Sequence, residues 1–206
     1  KTIYAQVQYF LPGKNGRKKD ADKTDTAWTA VRDADALIHV LRNFRIFGLD
    51  APQPPADFIR LDQELILADL AVVEKRLERM EAETKKGKPP DSAERDLLKK
   101  CQRMLEEETP LRTDPELSNA PRLRGYAFLT AKPVLILSNN EDEDTELPPV
   151  EGSMSREACL VIRGKIEHEL SQMSSEEAAD LLEEFQIAAS ATDRVIRKSY
   201  QILGLI

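Results

Sequence analysis

Aromatic side chains are scarce in this chain, at 5% of 206 residues with a single tryptophan, and histidine occurs only twice. Cysteine is equally sparse. Cys101 and Cys159 fall in an apparent helix and an apparent strand without metal-type spacing, which excludes a disulfide framework or zinc module and favours buried free thiols. No run approaches the ~20 apolar residues of a membrane span, and no secretory signal pattern is present, so a membrane is not an expected partner. Basic charge is not in excess: 30 Lys and Arg against 37 Asp and Glu leave a net charge of -7. That balance opposes a whole-surface grip on nucleic acid, though not a local basic patch, and sequence-specific DNA is not expected. With 41% hydrophobic and 33% charged residues, what remains is a charge-rich globular chain. Its length suits one domain with an insertion, or two small ones.

The most informative stretch runs from Lys132 to Asp142. Val134 to Leu137 suit a strand buried on both faces, as in a parallel sheet. The run stops at Asn139 and turns acidic, which puts polar residues at the carboxyl end of the strand, where open α/β sheets bind ligands. An Asn followed three residues later by an acid can read a nucleotide base: the amide orders the loops and the carboxylate accepts from N–H groups. Asn139 with Asp142, or Asn140 with Glu143, have that spacing; a plain polar loop has it too.

Elsewhere, residues 3–11 alternate and then run apolar, predicting a strand that ends at Pro12-Gly13. Lys14, Arg17, Lys18, Lys19 and Lys23 mark a basic loop, read either as a solvated segment or as facing phosphate or RNA. A helix over 25–33 and a continuous apolar strand over 36–41 follow, suggesting parallel pairing through a crossover helix. Pro52, Pro54 and Pro55 suggest an extended linker. From Asp57 to about Lys86 the apolar residues Ile66, Leu70, Val73, Leu77 and Met80 repeat at four, three, four, three, which is a coiled-coil seam. Gly87 to Pro90 breaks it. Asp91 and Glu94 resemble a capping box, and Leu97, Cys101, Met104 and Leu105 line a second helix. Together these predict an antiparallel hairpin whose first helix, at ~1.5 Å per residue, reaches ~40 Å and projects from the core. A helix around 117–129, a strand at 159–162, a helix from Ser174 through Phe185 and a last helix from about Thr192 to Leu203 complete the pass. Val195, Ile196, Ile202 and Leu203 are expected to face a core. The acidic loop 141–146 lacks a folded spacing that would hold a metal. His39, on a buried-type strand, and His168, on a polar helix, read as structural, and no acid, base or nucleophile constellation stands out as catalytic.

Five segments in order resemble the Obg-like ATPases, specifically the YchF-type branch of the P-loop NTPases. They are Glu64-Leu-Ile-Leu-Ala-Asp69, Val73-Glu-Lys-Arg-Leu-Glu-Arg79, Leu129-Thr-Ala-Lys-Pro-Val-Leu135, Lys165-Ile-Glu-His-Glu-Leu170 and Tyr200-Gln-Ile-Leu-Gly-Leu-Ile206. The resemblance covers nearly the whole chain. It implies an α/β fold with a mostly parallel sheet core and an inserted antiparallel coiled-coil hairpin. The nucleotide-binding domain would comprise residues 1–55 and 111–206, and the hairpin residues 56–110. It further implies purine nucleotide, ATP or GTP, with Mg²⁺ in the intact parent, the ribosome or its RNA or protein as partner, and a cytoplasmic setting. Residue by residue, Asn139 stands at the base-reading Asn, Asp142 where the branch usually has Glu, and Gly164 and Lys165 where backbone passes the base. Arg163 departs from the small residue of that motif, while Gly164 still permits close approach.

Two features of the resemblance are missing. No Gly-x-x-x-x-Gly-Lys-Ser/Thr loop occurs, so nothing here cradles a β-phosphate. In the family that loop precedes the strand starting at Ile3, and the chain begins at Lys1, so a fragment starting after it is expected. Nor does an Asp follow in register after Tyr9-Phe-Leu-Pro-Gly13 to hold Mg²⁺. Nucleotide is therefore expected to bind this chain weakly and not to be hydrolysed by it. The alternative is a non-catalytic adaptor that docks partners through its hairpin.

Overall fold

Val134–Asn140 forms the central strand of a three-stranded sheet, as its unbroken apolar run requires: Leu135, Ile136, Leu137 and Ser138 are all buried. The computed structural model describes residues 6–12, 28–87, 89, 91–149, 151–152, 158–174, 178, 181–182, 185, 187 and 189–206. Among them, β1 is Leu37–Asn43, β2 is Val134–Asn140 and β3 is Cys159–Ile162, in the spatial order β1-β2-β3. Both pairings are parallel. Leu37 to Asn43 register with Val134 to Asn140, and Ile136 to Asn139 with Cys159 to Ile162. Parallel pairing brings all three carboxyl ends to one edge, with Asn43 beside Asn140 and Asn139 beside Ile162.

Two compact units divide these residues: Ala36–Ile59 with Val134–Ile206, and Gln6–Asp35 with Arg60–Pro133. In the sheet unit, Leu41, Phe58 and Ile136 form a small core with Ile59, Val134 and Cys159 packed against it. His39 stacks on Phe58 with ring centroids 5.9 Å apart. The expectation of burial on both faces of β1 is not met, because its side chains alternate and Ile38 and Val40 are exposed.

The helical unit is built on α1, Pro54–Lys85, whose first turns belong to the sheet unit, and α2, Ser92–Glu106. Of the prolines expected in a linker, Pro54 and Pro55 instead start α1, and Pro52 stays in the irregular chain before it. Pro tolerates the first turn, where its missing N–H would have no intrahelical acceptor. The two helices run antiparallel, since Arg76 meets Glu94 near the turn and Gln63 meets Glu108 at the far end. Ile66, Val73 and Met80 of the seam are buried with Leu98, Cys101 and Leu105, while Leu70 and Leu77 are partly buried. Asp91 caps α2, its Oδ1 accepting from the Ala93 and Glu94 N–H groups. The Glu94 side chain does not complete the box; it binds Arg76 and Tyr126.

Residues 111–133 belong to this unit rather than to the sheet. Leu111, Leu117, Leu123 and Phe128 enter the same apolar cluster as the hairpin seam. The single helix expected over 117–129 is replaced by short pieces: α3 at Pro115–Ser118 and a 3-10 turn at Pro121–Tyr126. Pro121 explains the break. Asp69, fully buried on α1, ties the segment down by accepting from the Leu129 and Thr130 N–H groups and the Thr130 hydroxyl, and it pairs with Arg32.

Residues 6–12 have no regular structure, contrary to the strand expected over 3–11; residues 3–5 and the basic loop at 14–23 lie outside the described residues. Tyr9, Phe10 and Leu11 are exposed, so the alternating pattern there had no partner strand to bury it. Helix is present at 28–31, and 25–27 are outside the described set, as is most of 175–188, where 178, 181 and 182 are helical. Near the end come α4, Gly164–Ser171, and α5, Ala191–Ile202, capped by the Ser190 hydroxyl. Ile196 of α5 is exposed rather than core-facing, and Ser199 takes the buried position. No described helix is long and apolar enough to cross a membrane.

Candidate functional site

Asn139 and Asn140 end β2 side by side, and strand alternation turns them to opposite faces. Asn140 is buried and engaged through both its oxygen and its nitrogen. Its Oδ1 accepts from Asn43 Nδ2 at 3.0 Å and from the Ser138 hydroxyl at 2.7 Å, while its Nδ2 donates to the Glu146 carbonyl at 2.7 Å. It stitches β1 to β2 and returns the following loop onto the strand end. An amide buried and used this way to hold the strand ends is turned away from a ligand, so the geometry separates the two Asn readings.

Asn139 is only half-buried, and its Oδ1 accepts from the Gly164 N–H at 2.9 Å. Its Nδ2 has no acceptor among the described residues. Gly164 is the first residue of α4, and a Cβ there would stand 2.9 Å from Asn139 Oδ1 and 3.1 Å from Nδ2. Only glycine allows that approach without displacing the amide.

Asp142 lies two residues beyond β2, with its Oδ2 2.9 Å from Lys165 Nζ. The hydrogen bond to Asp142 raises the Lys165 ammonium's pKa above its usual value. Lys165 is mostly exposed, so water screens the pair and it holds only weakly against a competing ligand. Asn139, Asp142, Gly164 and Lys165 thus converge at the carboxyl edge of β2 and β3. Asn140 and Glu143 are not joined in this way: Asn140 is turned inward, and no contact brings Glu143 to the cluster.

The donor set suits a planar heterocycle with mixed donors and acceptors. Asn139 Nδ2 can donate, Asp142 can accept, and the peptide around Gly164 has no side chain to block a flat face. It does not suit a divalent cation. Asp142 is opposed by an ammonium, and no cluster of three His, Cys, Asp or Glu residues that could hold a metal occurs among the described residues.

Sequence reasoning flagged Arg163 only as a departure and did not anticipate the polar scaffold behind the site. Glu167 Oε1 accepts from the Arg163 N–H at 3.1 Å and from Arg194 Nη2 at 2.6 Å, and Arg194 Nη1 donates to the Val161 carbonyl at 2.7 Å. Arg194 lies on a helix surface and Glu167 in a charged run, so neither pattern distinguished them from solvated residues. Of the two cysteines, Cys101 is buried and Cys159 only partly so, and no disulfide joins them.

No family model matches the chain. It is 30% identical over 189 residues to the ribosome-binding ATPase YchF of Bacillus subtilis, covering 85% of this chain and 52% of that protein. It is 31% identical over 188 residues to the Haemophilus ducreyi YchF, with 85% and 51% covered. For Escherichia coli O157:H7 YchF the identity is 30% over 192 residues, with 86% and 52% covered. The fold matches the YchF GTPase of Schizosaccharomyces pombe with a TM-score of 0.68 at 22% identity, over 91% of this chain and 55% of that one. The chain spans about half the length of the curated relatives it matches. By these matches it is similar to the YchF-type branch of the Obg-like proteins, and its α/β core with a helical hairpin is that fold.

Proposed function

We propose that this chain holds the base of a purine nucleotide, ATP or GTP, at the carboxyl ends of β2 and β3. Asn139 orders the edge and donates through Nδ2, Asp142 accepts from ring or exocyclic N–H groups, and Gly164 and Lys165 flank the ring. The observation that carries this reading is the packing of the Asn139 amide on the Gly164 backbone, with Asp142 held by Lys165 next to it. The sheet unit is then the nucleotide-binding domain and the α1–α2 hairpin its insertion.

Mg²⁺ would enter on the phosphates of the nucleotide, since the residues around Asp142 do not fit it. With no phosphate-loop motif among its residues, this chain by itself is expected to bind nucleotide weakly and to leave it unhydrolysed. The name of its relatives, ribosome-binding ATPase, supports a ribosomal partner in the cytoplasm. Titration with fluorescent ATP and GTP derivatives tests the base site. Saturable binding weakened by Asn139→Ala and Asp142→Ala is expected, and identical curves for wild type and both variants would reject it.

A second reading, a non-catalytic adaptor working through the hairpin, draws on the missing acid after Tyr9-Phe-Leu-Pro-Gly13. Deleting residues 60–108 separates the two. Lost ribosome binding with retained nucleotide binding supports a nucleotide-binding protein with a docking arm; no nucleotide binding even before deletion supports the adaptor.

A further inference from the structure

We propose that Arg163 is a positioning residue for the base site: it holds the backbone of Asp142 so that the reading carboxylate is in place before a ligand arrives. The inference rests on the purine-base reading above and deepens it. Arg163 is only 7% exposed. Its guanidinium contacts two carbonyls and, among the described residues, no carboxylate: Nη1 donates to the Asp142 oxygen at 3.1 Å and Nη2 to the Phe185 oxygen at 2.7 Å. Burying a cation on neutral partners is costly, and directed hydrogen bonds must offset that cost. Here one of the two acts on the loop after β2, and the other anchors the guanidinium to the Phe185 carbonyl.

That loop needs holding. Glu141, Asp142, Glu143 and Asp144 are four consecutive acids, and their mutual repulsion drives the segment outward into water. Other ties close the turn from within, the Asp144 N–H donating to the Glu141 carbonyl at 3.1 Å, or reach the loop's side chains or its far end. The Arg45 N–H donates to Glu141 Oε1 at 2.6 Å, and Asn140 Nδ2 reaches the Glu146 carbonyl. Arg163 alone grips the Asp142 backbone among the described residues.

Arg163 is itself fixed at its own N–H by Glu167, one residue before Gly164, whose N–H holds Asn139. A single residue therefore links the two halves of the site, the Asn139–Asp142 corner and the start of α4. A planar guanidinium makes two diverging bonds at once, which an ammonium on a flexible stem does not reproduce.

The test compares wild type, Arg163→Ala and Arg163→Lys by amide hydrogen exchange without nucleotide, by affinity for fluorescent ATP and GTP derivatives, and by thermal melting. Loss of two charge-assisted hydrogen bonds predicts exchange of the Asp144 N–H, which closes the turn on the Glu141 carbonyl, on the order of tenfold faster in Arg163→Ala, with nucleotide binding weakened by a similar factor. Arg163→Lys should fall between, and both variants should keep a cooperative melt. Faster exchange with unchanged nucleotide affinity would make Arg163 merely structural and overturn the proposal, as would unchanged exchange. If wild type itself binds neither nucleotide, the base site is rejected and the positioning role falls with it, an outcome distinct from a wild type that binds and a variant that binds equally well.

Discussion

The Asn139 side chain and the Gly164 backbone are in hydrogen-bonded contact at 2.9 Å, so close that a methyl group on residue 164 would occupy the space of the amide oxygen. Gly164→Ala should therefore rotate the amide or shift the start of α4. The expected cost is ~1–3 kcal/mol, the range for overpacking a fitted site, measured by urea denaturation. Nucleotide affinity should fall with it. A variant as stable and as competent as wild type would show that the contact is dispensable.

Asp69 anchors the helical unit. Its two oxygens accept from the Leu129 N–H at 3.1 Å, the Thr130 N–H at 2.7 Å, the Thr130 hydroxyl at 2.8 Å and Arg32 at 3.0 Å. Asp69→Ala strands two backbone donors and the Thr130 hydroxyl away from water and takes the carboxylate from Arg32, and should cost ~3–5 kcal/mol. Urea unfolding followed by circular dichroism measures it; a loss below ~1 kcal/mol would contradict the anchoring role.

Stability should depend on pH through Glu94 and Tyr126. The hydrogen bond from Arg76 holds the Glu94 carboxyl below its usual range, against a smaller opposing push from burial. A depressed folded-state value means the contribution is complete above the unfolded pKa of ~4.3 and is lost as pH falls through the folded one. Glu94→Gln should flatten that acid limb of the stability profile. Burial first, and the hydrogen bond to Glu94 second, raise the Tyr126 phenol. Its contribution is complete below ~10 and is lost as pH rises through the raised value, so Tyr126→Phe should flatten the alkaline limb. Unfolding midpoints from pH 3 to pH 11.5 measure both.

Burial pushes the Cys101 thiol up to about 11. With little thiolate and no access, Cys101 should resist iodoacetamide at pH 8 in the native protein and react once urea unfolds it. Mass spectrometry of labelled peptides gives the answer; rapid native labelling would contradict the buried seam position.

Where burial alone selects the residues, the sequence was readable. Val134 to Leu137 are apolar at every position because consecutive side chains on β2 point to opposite faces and Leu135, Ile136 and Leu137 are all buried, and the Ile66-to-Met80 spacing follows from the facing helix. Leu98 was missed on α2 because adjacent Leu97 has identical chemistry, and only the packing decides which is buried. The same pattern failed at residues 6–11, since alternation specifies a face without specifying a partner strand. At the site, Asn139 was legible but indistinguishable from Asn140 until strand alternation turned one inward. Arg163, Glu167 and Arg194 were not legible, because their bonds run to backbone groups and side chains distant in sequence, which leave no local pattern.

The purine-base assignment is tested most directly by a two-dimensional ¹H–¹⁵N NMR titration of the chain with millimolar ATP and GTP. The expected result is a set of saturable shifts centred on Asn139, Asp142, Gly164 and Lys165, including the Asn139 side-chain amide, and their loss in Asp142→Ala. Shifts confined to other residues, or a spectrum unmoved by either nucleotide, would contradict the assignment.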